Sequence, residues 1–479
     1  MPPSAAKDAG GAAELRAAEL ASYTRKAVTE RSDLTIVGDA VYDAKAFREE
    51  HPGGAHFVSL FGGRDATEAF MEYHRRAWPK ARMSKFFVGS LAPSEKPTQV
   101  DEGYLRLCAE VNGLLPKGSG GFAPASYWLK AAALIVAALT LEGYMLLRGK
   151  TLFLSVLLGL VFAWIGLNIQ HDANHGALSR YPAVNYCLGY MQDWIGGNMV
   201  LWLQEHVVMH HLHTNDVDHD PDQKAHGALR LKPTDSWLPW HSLQQVYILP
   251  GEAMYAFKLL SLDALELLAW RWEGEPISQL AAPLYAPAVV CKLAFWARFV
   301  ALPLWLQPSL HTAACICATV CTGSFYLAFF FFISHNFDGV ASVGPQGSLS
   351  RSATFTQRQV ETSSNVGGKW LAHLNGGLNY QIEHHLFPRL HHSYYATIAP
   401  LVRQRIEAMG YKYSHFPTIG SNLGAMMSHL GKMAARPTSA DKLARPSEKS
   451  SVECRLRLGA ACARGSQASD AASLISWLG

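Results

Sequence analysis

Four long apolar segments constrain the fold of this chain more than any other feature. Residues 127–147, 151–169, 283–306 and 310–333 are each long enough to cross about 30 Å of hydrocarbon as α-helices. Short turns join the first two segments and the last two, so the segments form two hairpins. Because backbone polar groups inside a membrane must be satisfied within the chain, we predict an α-helical multispan membrane protein with four transmembrane helices.

The N-terminus sets the expected orientation of these helices. It lacks the apolar core of a signal peptide, so we expect it to stay in the cytosol. The two hairpins then return the chain to the cytosolic side at His171 and His335. The basic residues between the first two segments fall on the opposite side, which gives the positive-inside rule mixed support. Two interrupted apolar stretches, 187–203 and 253–272, are predicted to be helices at the membrane surface.

Composition excludes two classes of protein. A net charge of +4 over 479 residues is too small to indicate nucleic-acid binding. The eight cysteines are scattered without a CxxC pair, which indicates reduced, intracellular folding without a disulfide framework. The 21 histidines are the unusual feature of the composition, and they direct attention to metal chemistry.

Changes in composition along the chain predict its domains. LTIVGDAVY alternates like two strands around the Gly38-Asp39 turn, and Asp43 is placed to cap a short helix, so a small α+β domain precedes the membrane segments. The predicted division is a disordered lead-in at 1–31, the small domain at 32–105, a linker at 106–125, the membrane domain at 126–433 and a disordered tail at 434–479.

Two histidines of the small domain form a candidate haem site. His51 begins HPGG, and His74 follows 23 residues later. Taken alone, this spacing favours two surface histidines. The longer pattern VYDAKAF-x3-HPGG-x19-H resembles the cytochrome b5 family, which implies haem b, axial ligation by His51 and His74, and a role in electron transfer. Apolar residues available to wall the haem are Phe57, Leu60, Phe61, Phe70 and Met71.

Three histidine clusters are expected on the same side of the membrane: HDANH at 171–175, HVVMHHLH at 206–213 and QIEHH at 381–385. A four-residue spacing within the first two clusters places a pair of imidazoles on one face of an α-helix, where they can share a metal. His335 joins the candidates because the fourth apolar segment ends beside the clusters. The candidate metal ligands are His171, His175, His206, His210, His211, His335, His384 and His385.

The number and type of ligands favour two iron ions. Seven or more imidazole nitrogens are too many for one tetrahedral zinc, and imidazole suits iron. Asp172 stands where the HExxH motif of zinc peptidases has glutamate. The acidic stretch 215–223 fails the EF-hand pattern, so we predict that its carboxylates orient histidines. Asn336 and Asn379 are weaker candidates that act through water.

Together these motifs resemble the membrane fatty acid desaturases, and in particular the cytochrome b5-fused front-end group. The resemblance covers about residues 32–430. The runs at 202–235, 325–336 and 376–388 are similar to the Δ4 desaturases of haptophyte microalgae. Front-end enzymes carry glutamine where other desaturases have the first histidine of the third cluster. The resemblance therefore implies that Gln381 is an active-site residue, near one iron or a weak ligand to it.

The resemblance implies an oxygen-dependent oxidoreductase that introduces a cis double bond at Δ4 of C22 polyunsaturated acyl chains, attached to a lipid or to coenzyme A. Docosapentaenoic acid would become docosahexaenoic acid, and the n-6 homologue would react likewise. Electrons would come from NADH through a separate cytochrome b5 reductase, the haem and the di-iron centre. The implied location is the endoplasmic reticulum membrane, with a cytosolic active site. Aromatic residues available to line an acyl tunnel are Trp164, Trp194, Trp202, Phe329 and Tyr380.

Four alternatives remain open at this point. A Δ5, Δ6 or Δ8 front-end desaturase, or a sphingolipid desaturase, shares the small domain and the glutamine. A histidine-rich membrane hydroxylase uses the same irons and stops at oxygen insertion. A membrane haem carrier without catalysis has no use for the three clusters. A zinc peptidase lacks its HExxH motif.

Overall fold

The computed structural model describes residues 21–75, 80–96 and 101–437. A small α+β domain is followed by a helical membrane domain, as the sequence predicts. The predicted lead-in up to residue 20, and the predicted tail from residue 438 onward, lie outside the described residues.

The small domain contains a four-stranded sheet. Its strands are β1 (Ser22–Tyr23), β2 (Leu34–Val37), β3 (Ala40–Asp43) and β4 (Phe87–Leu91), in the order β1-β4-β3-β2. The predicted hairpin is present, and Gly38 at its turn has φ +68°, a conformation that favours glycine. The strand β1 extends the domain before residue 32, which is the start predicted from the sequence. The pairing of β1 with β4 was not visible as a pattern because β1 has only two residues.

Short helices complete the small domain. The side chain of Asp43 caps the first helix after the hairpin by accepting a hydrogen bond of 2.8 Å from the backbone N–H of Ala46, as predicted. The α-helices are Arg25–Thr29, Ala44–Phe47, Ala55–Leu60, Thr67–Tyr73 and Lys80–Met83, with 3-10 turns at Arg48–Glu50, Ser84–Phe86 and Pro93–Glu95.

The connection between the domains begins with a helix, Glu102–Leu114, that crosses into the predicted linker. Tyr104 on this helix is fully buried and donates a hydrogen bond of 2.6 Å to the carbonyl oxygen of Leu386. The connection therefore packs on the membrane domain, and its irregular part starts after Leu114.

The four predicted membrane spans are confirmed. Among the described residues, four helices are long and apolar enough to cross a membrane, namely Ala125–Arg148, Leu152–Asn174, Gln279–Leu306 and Leu310–His335. The second span contains a π-helical turn, Gly166–Gln170, between Leu152–Ile165 and His171–Asn174. The third is composed of Gln279–Leu284 (3-10), Tyr285–Phe295 (α), Trp296–Ala301 (π) and Leu302–Leu306 (α).

The second and fourth spans approach each other closely at a glycine. A Cβ atom added at Gly159 would lie 2.4 Å from the carbonyl oxygen of Thr319 and 3.2 Å from the backbone nitrogen of Gly323. A larger residue would separate the two helices, so the close packing of the spans requires glycine at this position. The contact matters for function because both helices end in candidate ligands, His171 and His335.

The remaining elements are short helices and strands between and after the spans. The helices between the second and third spans are Pro182–Gly189, Met191–Trp194, Met199–Trp202, Leu203–His210 (π), His211–His213, Pro221–Gln223 (3-10), Pro239–Leu243 (3-10), Gln244–Phe257, Lys258–Leu262 (π) and Asp263–Ala269. After the fourth span come Phe355–Glu361, Lys369–Leu374, Gln381–Leu386, His392–Tyr394 (3-10), Tyr395–Ala408 and Ile419–Ala434. Two small sheets pair β5 (Arg271–Trp272) with β6 (Glu275–Pro276) and β7 (Ser364–Val366) with β8 (Ser414–Phe416).

The two stretches predicted at the membrane surface differ from each other. In the first, Met199, Val200 and Leu201 are at most 1% exposed and lead directly into the second histidine cluster, so this part presents no face to a membrane. In the second, Leu265 and Leu268 are more than 60% exposed on a helix beside the spans. This apolar surface supports the prediction of an interfacial helix for the second stretch.

Candidate active site

The three histidine clusters converge in one buried centre. Each side chain is at most 5% exposed, although the residues come from four separate parts of the chain. The histidines of the centre are His171, His175, His206, His210, His211, His335, His384 and His385. Every histidine proposed from the sequence as a metal ligand is therefore found in the same place.

The centre contains two adjacent groups of potential ligands. The first group is His171, His175, His206 and His384, and the second is His210, His335 and His385. Within each group, the nitrogens available to a metal lie within 4.8 Å of one another. The remaining histidine, His211, lies between the groups. Its Nε2 is 3.0 Å from Nε2 of His384, and its ring stacks on His385 at a centroid distance of 4.5 Å.

A π-helix determines which histidines of the second cluster meet. The sequence predicted an α-helix in which His206 and His210 share a metal, and this is wrong because Leu203–His210 is π-helical. In a π-helix, residues five apart occupy successive turns, so Nε2 of His206 lies 3.2 Å from Nε2 of His211. His210 is thereby directed to the second group.

The third cluster links the two groups. Adjacent positions on the helix Gln381–Leu386 diverge, so His384 enters the first group and His385 the second. The loop before this helix packs on the π-helical turn of the second span. A Cβ atom at Gly376 would lie 2.0 Å from the carbonyl oxygen of Leu167, so the approach requires glycine.

The Nδ1 atoms of most of these rings are held by neighbouring groups. Their partners are the Tyr73 hydroxyl for His175 (2.7 Å), Asp220 for His210 (3.1 Å), the Thr362 carbonyl for His335 (3.0 Å), Gln359 for His385 (2.9 Å), the Tyr395 hydroxyl for His384 (3.4 Å) and Asp172 for His171 (3.5 Å). Such contacts fix the ring orientation and leave Nε2 for a metal. Asp220 belongs to the acidic stretch predicted to orient histidines, and it does so.

The unpartnered atoms of the centre fit metal ligation. The buried Nε2 atoms of His171, His175 and His210 have no hydrogen-bond partner within the part of the chain that the structure describes. Burial also lowers the pKa of His175 and His384 well below the usual value, so their imidazoles are neutral and can donate a lone pair. An orphaned buried nitrogen is costly unless a metal occupies the space in front of it.

His210 differs electrostatically from the other ligands. Burial disfavours its charged form, but Asp220 and Asp222 outweigh burial and raise the pKa of His210 to about 9. A carboxylate behind a metal-binding imidazole accepts the Nδ1–H hydrogen bond and increases the basicity of the ligand. The acidic stretch therefore strengthens the second group.

The small domain holds the second candidate site. The ring centroids of His51 and His74 are 6.2 Å apart, which leaves room for one metal between two imidazoles. Their Nδ1 atoms lie 3.1 Å and 2.8 Å from the carbonyl oxygens of Gly54 and Phe70, so Nε2 is free to bind. Burial lowers the pKa of His74 to about 4, which keeps the ring neutral. The geometry of this histidine pair and the sequence pattern both fit a haem site.

A pocket with about 970 Å³ of empty space, part of it open to solvent, adjoins these two rings. Three of the five predicted wall residues, Phe57, Phe61 and Phe70, line it. The other two, Leu60 and Met71, do not line it and pack in the apolar clusters that join the small domain to the membrane domain. Adjacent positions on a helix face different directions. The sequence did not show which face of each helix would be covered by the membrane domain.

Comparisons with known proteins identify the family of each domain. The family model described as "Fatty acid desaturase" matches residues 150–417, and the model described as "Cytochrome b5-like Heme/Steroid binding domain" matches residues 16–92. The chain belongs to the fatty acid desaturase family. It also carries a cytochrome b5-like domain at its N-terminus, as the front-end resemblance implied.

Several curated relatives resemble this desaturase along nearly its whole length. The chain is 85% identical over 437 residues to the acyl-lipid (7-3)-desaturase of Diacronema lutheri, covering 91% of this chain and 98% of that protein. It is 68% identical over 444 residues to the acyl-lipid (7-3)-desaturase of Rebecca salina, covering 92% and 99%. It is 32% identical over 423 residues to the chloroplastic acyl-lipid (7-3)-desaturase of Chlamydomonas reinhardtii, covering 83% and 80%.

Gln381 lies in the second histidine group of the desaturase. Its Nε2 atom is 3.0 Å from Nε2 of His335 and 3.2 Å from Nε2 of His385. The side chain therefore lies beside the group with only three histidines, with its amide nitrogen toward their imidazoles. Of the weaker candidates, Asn379 has a buried Oδ1 without a partner among the described residues, and Asn336 accepts a hydrogen bond from Gln223.

A third polar cluster, which the sequence pattern did not predict, lies beside the first group. Asp172 accepts a hydrogen bond of 2.6 Å from Nδ1–H of His392, and Nε2 of His391 lies 3.4 Å from the same carboxylate. This contact fixes the aspartate that faces His171. The adjacent histidines at 391–392 were a signal, but their spacing from the other clusters did not connect them to Asp172.

The aromatic residues predicted to line an acyl tunnel are distributed over several apolar clusters. Trp202 lies against the histidine centre, where its indole stacks on His206 at a centroid distance of 4.5 Å. A separate pocket with about 470 Å³ of empty space, part of it open to solvent, lies between the spans and is lined by residues such as Phe162, Ile195 and Leu327. None of the five predicted aromatic residues lines this cavity.

Proposed function

We propose that this desaturase introduces a cis double bond at Δ4 of C22 polyunsaturated acyl chains. Docosapentaenoic acid becomes docosahexaenoic acid, and the n-6 homologue reacts likewise. The assignment of di-iron chemistry rests on the two adjacent histidine groups, because they offer two neighbouring sites for iron. The Δ4 position is supported by the runs at 202–235, 325–336 and 376–388 and by the identity to the haptophyte relatives.

The proposed cofactors are haem b and two iron ions. His51 and His74 hold the haem. The first iron site is His171, His175, His206 and His384, and the second is His210, His335 and His385 with Gln381. His211 is placed to serve either site. When bound, the irons supply oxygen activation and hydrogen removal from an unactivated chain, and the haem supplies the electrons.

The protein contributes positioning and the exclusion of water. Carbons 4 and 5 have no activating neighbour, so the reaction depends on how the chain is held against the metal centre. The hydrogen bonds to Nδ1 fix the rings, and Trp202 closes the first group from one side. Burial of every histidine of the centre keeps bulk water from the site of oxygen chemistry.

We propose an acyl group carried by a lipid as the substrate, because the relatives are named acyl-lipid desaturases. The cavity between the spans offers an apolar surface for part of the chain, including Phe162 and Leu260. An acyl group carried by coenzyme A is the alternative. Analysis of labelled product in isolated lipid and coenzyme A fractions distinguishes them.

The proposed electron source is a separate NADH–cytochrome b5 reductase. Fusion of the cytochrome b5-like domain to the catalytic domain gives the donor a high effective concentration at its acceptor. The proposed location is the endoplasmic reticulum membrane, with the small domain and the active site on the cytosolic side. The contact between the Tyr73 hydroxyl of the small domain and Nδ1 of His175 supports a location of both histidine sites on one side of the membrane.

A fatty-acid profile tests the proposed reaction. The full chain is expressed in yeast and supplied with docosapentaenoic acid beside eighteen- and twenty-carbon candidates, with His385→Ala as the inactive control. The proposal predicts docosahexaenoic acid with the new double bond at position 4. Desaturation of only the shorter substrates would instead indicate a Δ5, Δ6 or Δ8 enzyme, and a hydroxylated product would indicate a hydroxylase.

A further inference from the structure

The small domain contributes a side chain directly to the histidine centre. Tyr73 ends the helix Thr67–Tyr73, and its hydroxyl oxygen lies 2.7 Å from Nδ1 of His175. The next residue is His74, the haem candidate. One helix end therefore presents consecutive residues to the two sites.

A second residue of the same helix faces the centre. Glu72 is fully buried, and neither carboxylate oxygen has a hydrogen-bond partner among the residues that the structure describes. Its Oε2 lies 3.8 Å from Nδ1 of His211, which is also buried and unpartnered within those residues. Two unpartnered polar groups that face each other this closely need only a small shift to form a hydrogen bond.

The small domain is held in this position by contacts on several sides. Glu68 forms an ion pair with Arg358, and Arg64 donates a hydrogen bond of 2.7 Å to the carbonyl oxygen of Pro276. Phe61 and Trp272 belong to one buried apolar cluster that spans both domains. Because these contacts hold the small domain against the membrane domain, the fold itself fixes the position of Tyr73.

Other histidines of the centre receive the corresponding support from the membrane domain itself. His210 uses Asp220, and His385 uses Gln359. For His175 and His211, the groups that face Nδ1 are Tyr73 and Glu72 of the small domain. The hydrogen-bond shell of the centre is therefore incomplete without the small domain.

We propose that docking of the small domain completes the metal centre, with Tyr73 positioning His175 and Glu72 positioning His211. In the tautomer that binds metal through Nε2, the Nδ1–H of each histidine donates to its partner from the small domain. Both are positioning residues. The inference deepens the proposed function, since it rests on iron binding by these histidines.

Iron retention tests the inference directly. The full-length protein is purified with its haem, and release of non-haem iron to a chelator is followed in Tyr73→Phe and in the control Tyr23→Phe, which alters a tyrosine in the small domain's own apolar core. Loss of a partner behind a metal ligand costs about 10- to 100-fold in metal affinity. We expect Tyr73→Phe to release one of the two irons at least about tenfold faster, with an unchanged haem spectrum.

A matched pair of substitutions tests Glu72. Glu72→Leu removes the acceptor facing His211, whereas Glu72→Gln keeps an acceptor oxygen. We expect Glu72→Leu to lose iron faster than Glu72→Gln.

Mössbauer spectra of protein loaded with iron-57 supply a second test of Tyr73. Tyr73→Phe is expected to alter the signal of the iron bound by His175 more than the signal of the other iron. General destabilisation of the protein would not produce this difference.

Each result bears on the inference. Equal iron release from Tyr73→Phe, Tyr23→Phe and the unaltered protein would overturn it, and so would simultaneous loss of haem and both irons from Tyr73→Phe. Faster release of one iron from a protein with intact haem supports it. Absence of non-haem iron from the unaltered protein would overturn the proposed function as well, so the two failures are distinguishable.

Discussion

The histidine pair of the small domain and the histidine centre of the membrane domain are built in opposite ways. His51 and His74 come from a short stretch of chain, and backbone carbonyl oxygens hold their Nδ1 atoms. The membrane centre collects residues from 171 to 385, and side chains hold most of the Nδ1 atoms that have a partner. A site held by backbone depends on local folding alone. A site held by side chains can be weakened one residue at a time.

The largest expected effect is loss of activity without loss of haem. His385→Ala removes a nitrogen from the second group and leaves the small domain untouched, so desaturation should fall below detection while the haem spectrum persists. His206→Ala and His210→Ala should do the same. Product analysis and absorption spectra of the same membranes check this. Full activity in His385→Ala would refute the di-iron assignment.

The reciprocal substitution should remove the haem and leave the iron of the membrane centre in place. His51→Ala removes one of two axial ligands, so the haem absorption should be lost and desaturation with it. Non-haem iron should remain, because the residues that hold it are unchanged. Metal analysis beside the spectrum measures both. Retention of a normal haem spectrum would contradict axial ligation by His51.

Asp220→Asn should weaken metal binding by His210, with a smaller effect than the loss of a histidine ligand. The carboxylate accepts the hydrogen bond from His210 Nδ1–H, and loss of such a partner lowers metal affinity by about 10- to 100-fold. The pair in the small domain has no side chain in the equivalent position, so its haem content should not change. Iron release to a chelator gives the value. Unchanged release would show that the acidic stretch does not support the metal.

Gln381→Ala should have a smaller effect, of about tenfold in iron affinity at the second group. The side chain lies beside His335 and His385, but those histidines and His210 remain. Gln381→His supplies an imidazole at the same position and should retain iron. If Gln381→Ala and the unaltered protein retain iron equally, Gln381 has no role as a ligand.

The smallest effect is expected at the edge of the acidic stretch. Arg351 pairs with Asp216 at 2.6 Å, and hydrogen bonds from Arg351 overcome burial and hold the pKa of Asp216 below its usual range. Because Arg351 is 40% exposed, Arg351→Gln should lower the free energy of unfolding by at most about 1 kcal/mol. A depressed carboxyl pKa stabilises the fold above the unfolded value near 4, so the difference should shrink as pH falls below it. Thermal unfolding at pH 7 and at lower pH checks both statements.

Much of the fold and most of the candidate ligands could be predicted from sequence because their signals are local. A span is a continuous apolar run, and HDANH and QIEHH are short motifs. His335 could be included because the topology of two hairpins fixed where its helix ends. These inferences required no knowledge of contacts between distant residues.

The rest depended on contacts that no local pattern encodes. The π-helix at 203–210 has no distinctive composition, so the pairing of His206 with His211 was not foreseen. Tyr73 and Glu72 looked like ordinary residues of a helix in the small domain, and their roles appear only once that domain is placed on the membrane domain. The contact of Asp172 with His392 joins residues 220 positions apart.

The ratio of non-haem iron to haem in the purified full-length protein tests the central claim most directly. The account predicts two non-haem irons for each haem, and their selective loss from His385→Ala while haem is retained. Iron equal to haem alone would contradict it, because the eight buried histidines of the membrane domain would then hold no metal.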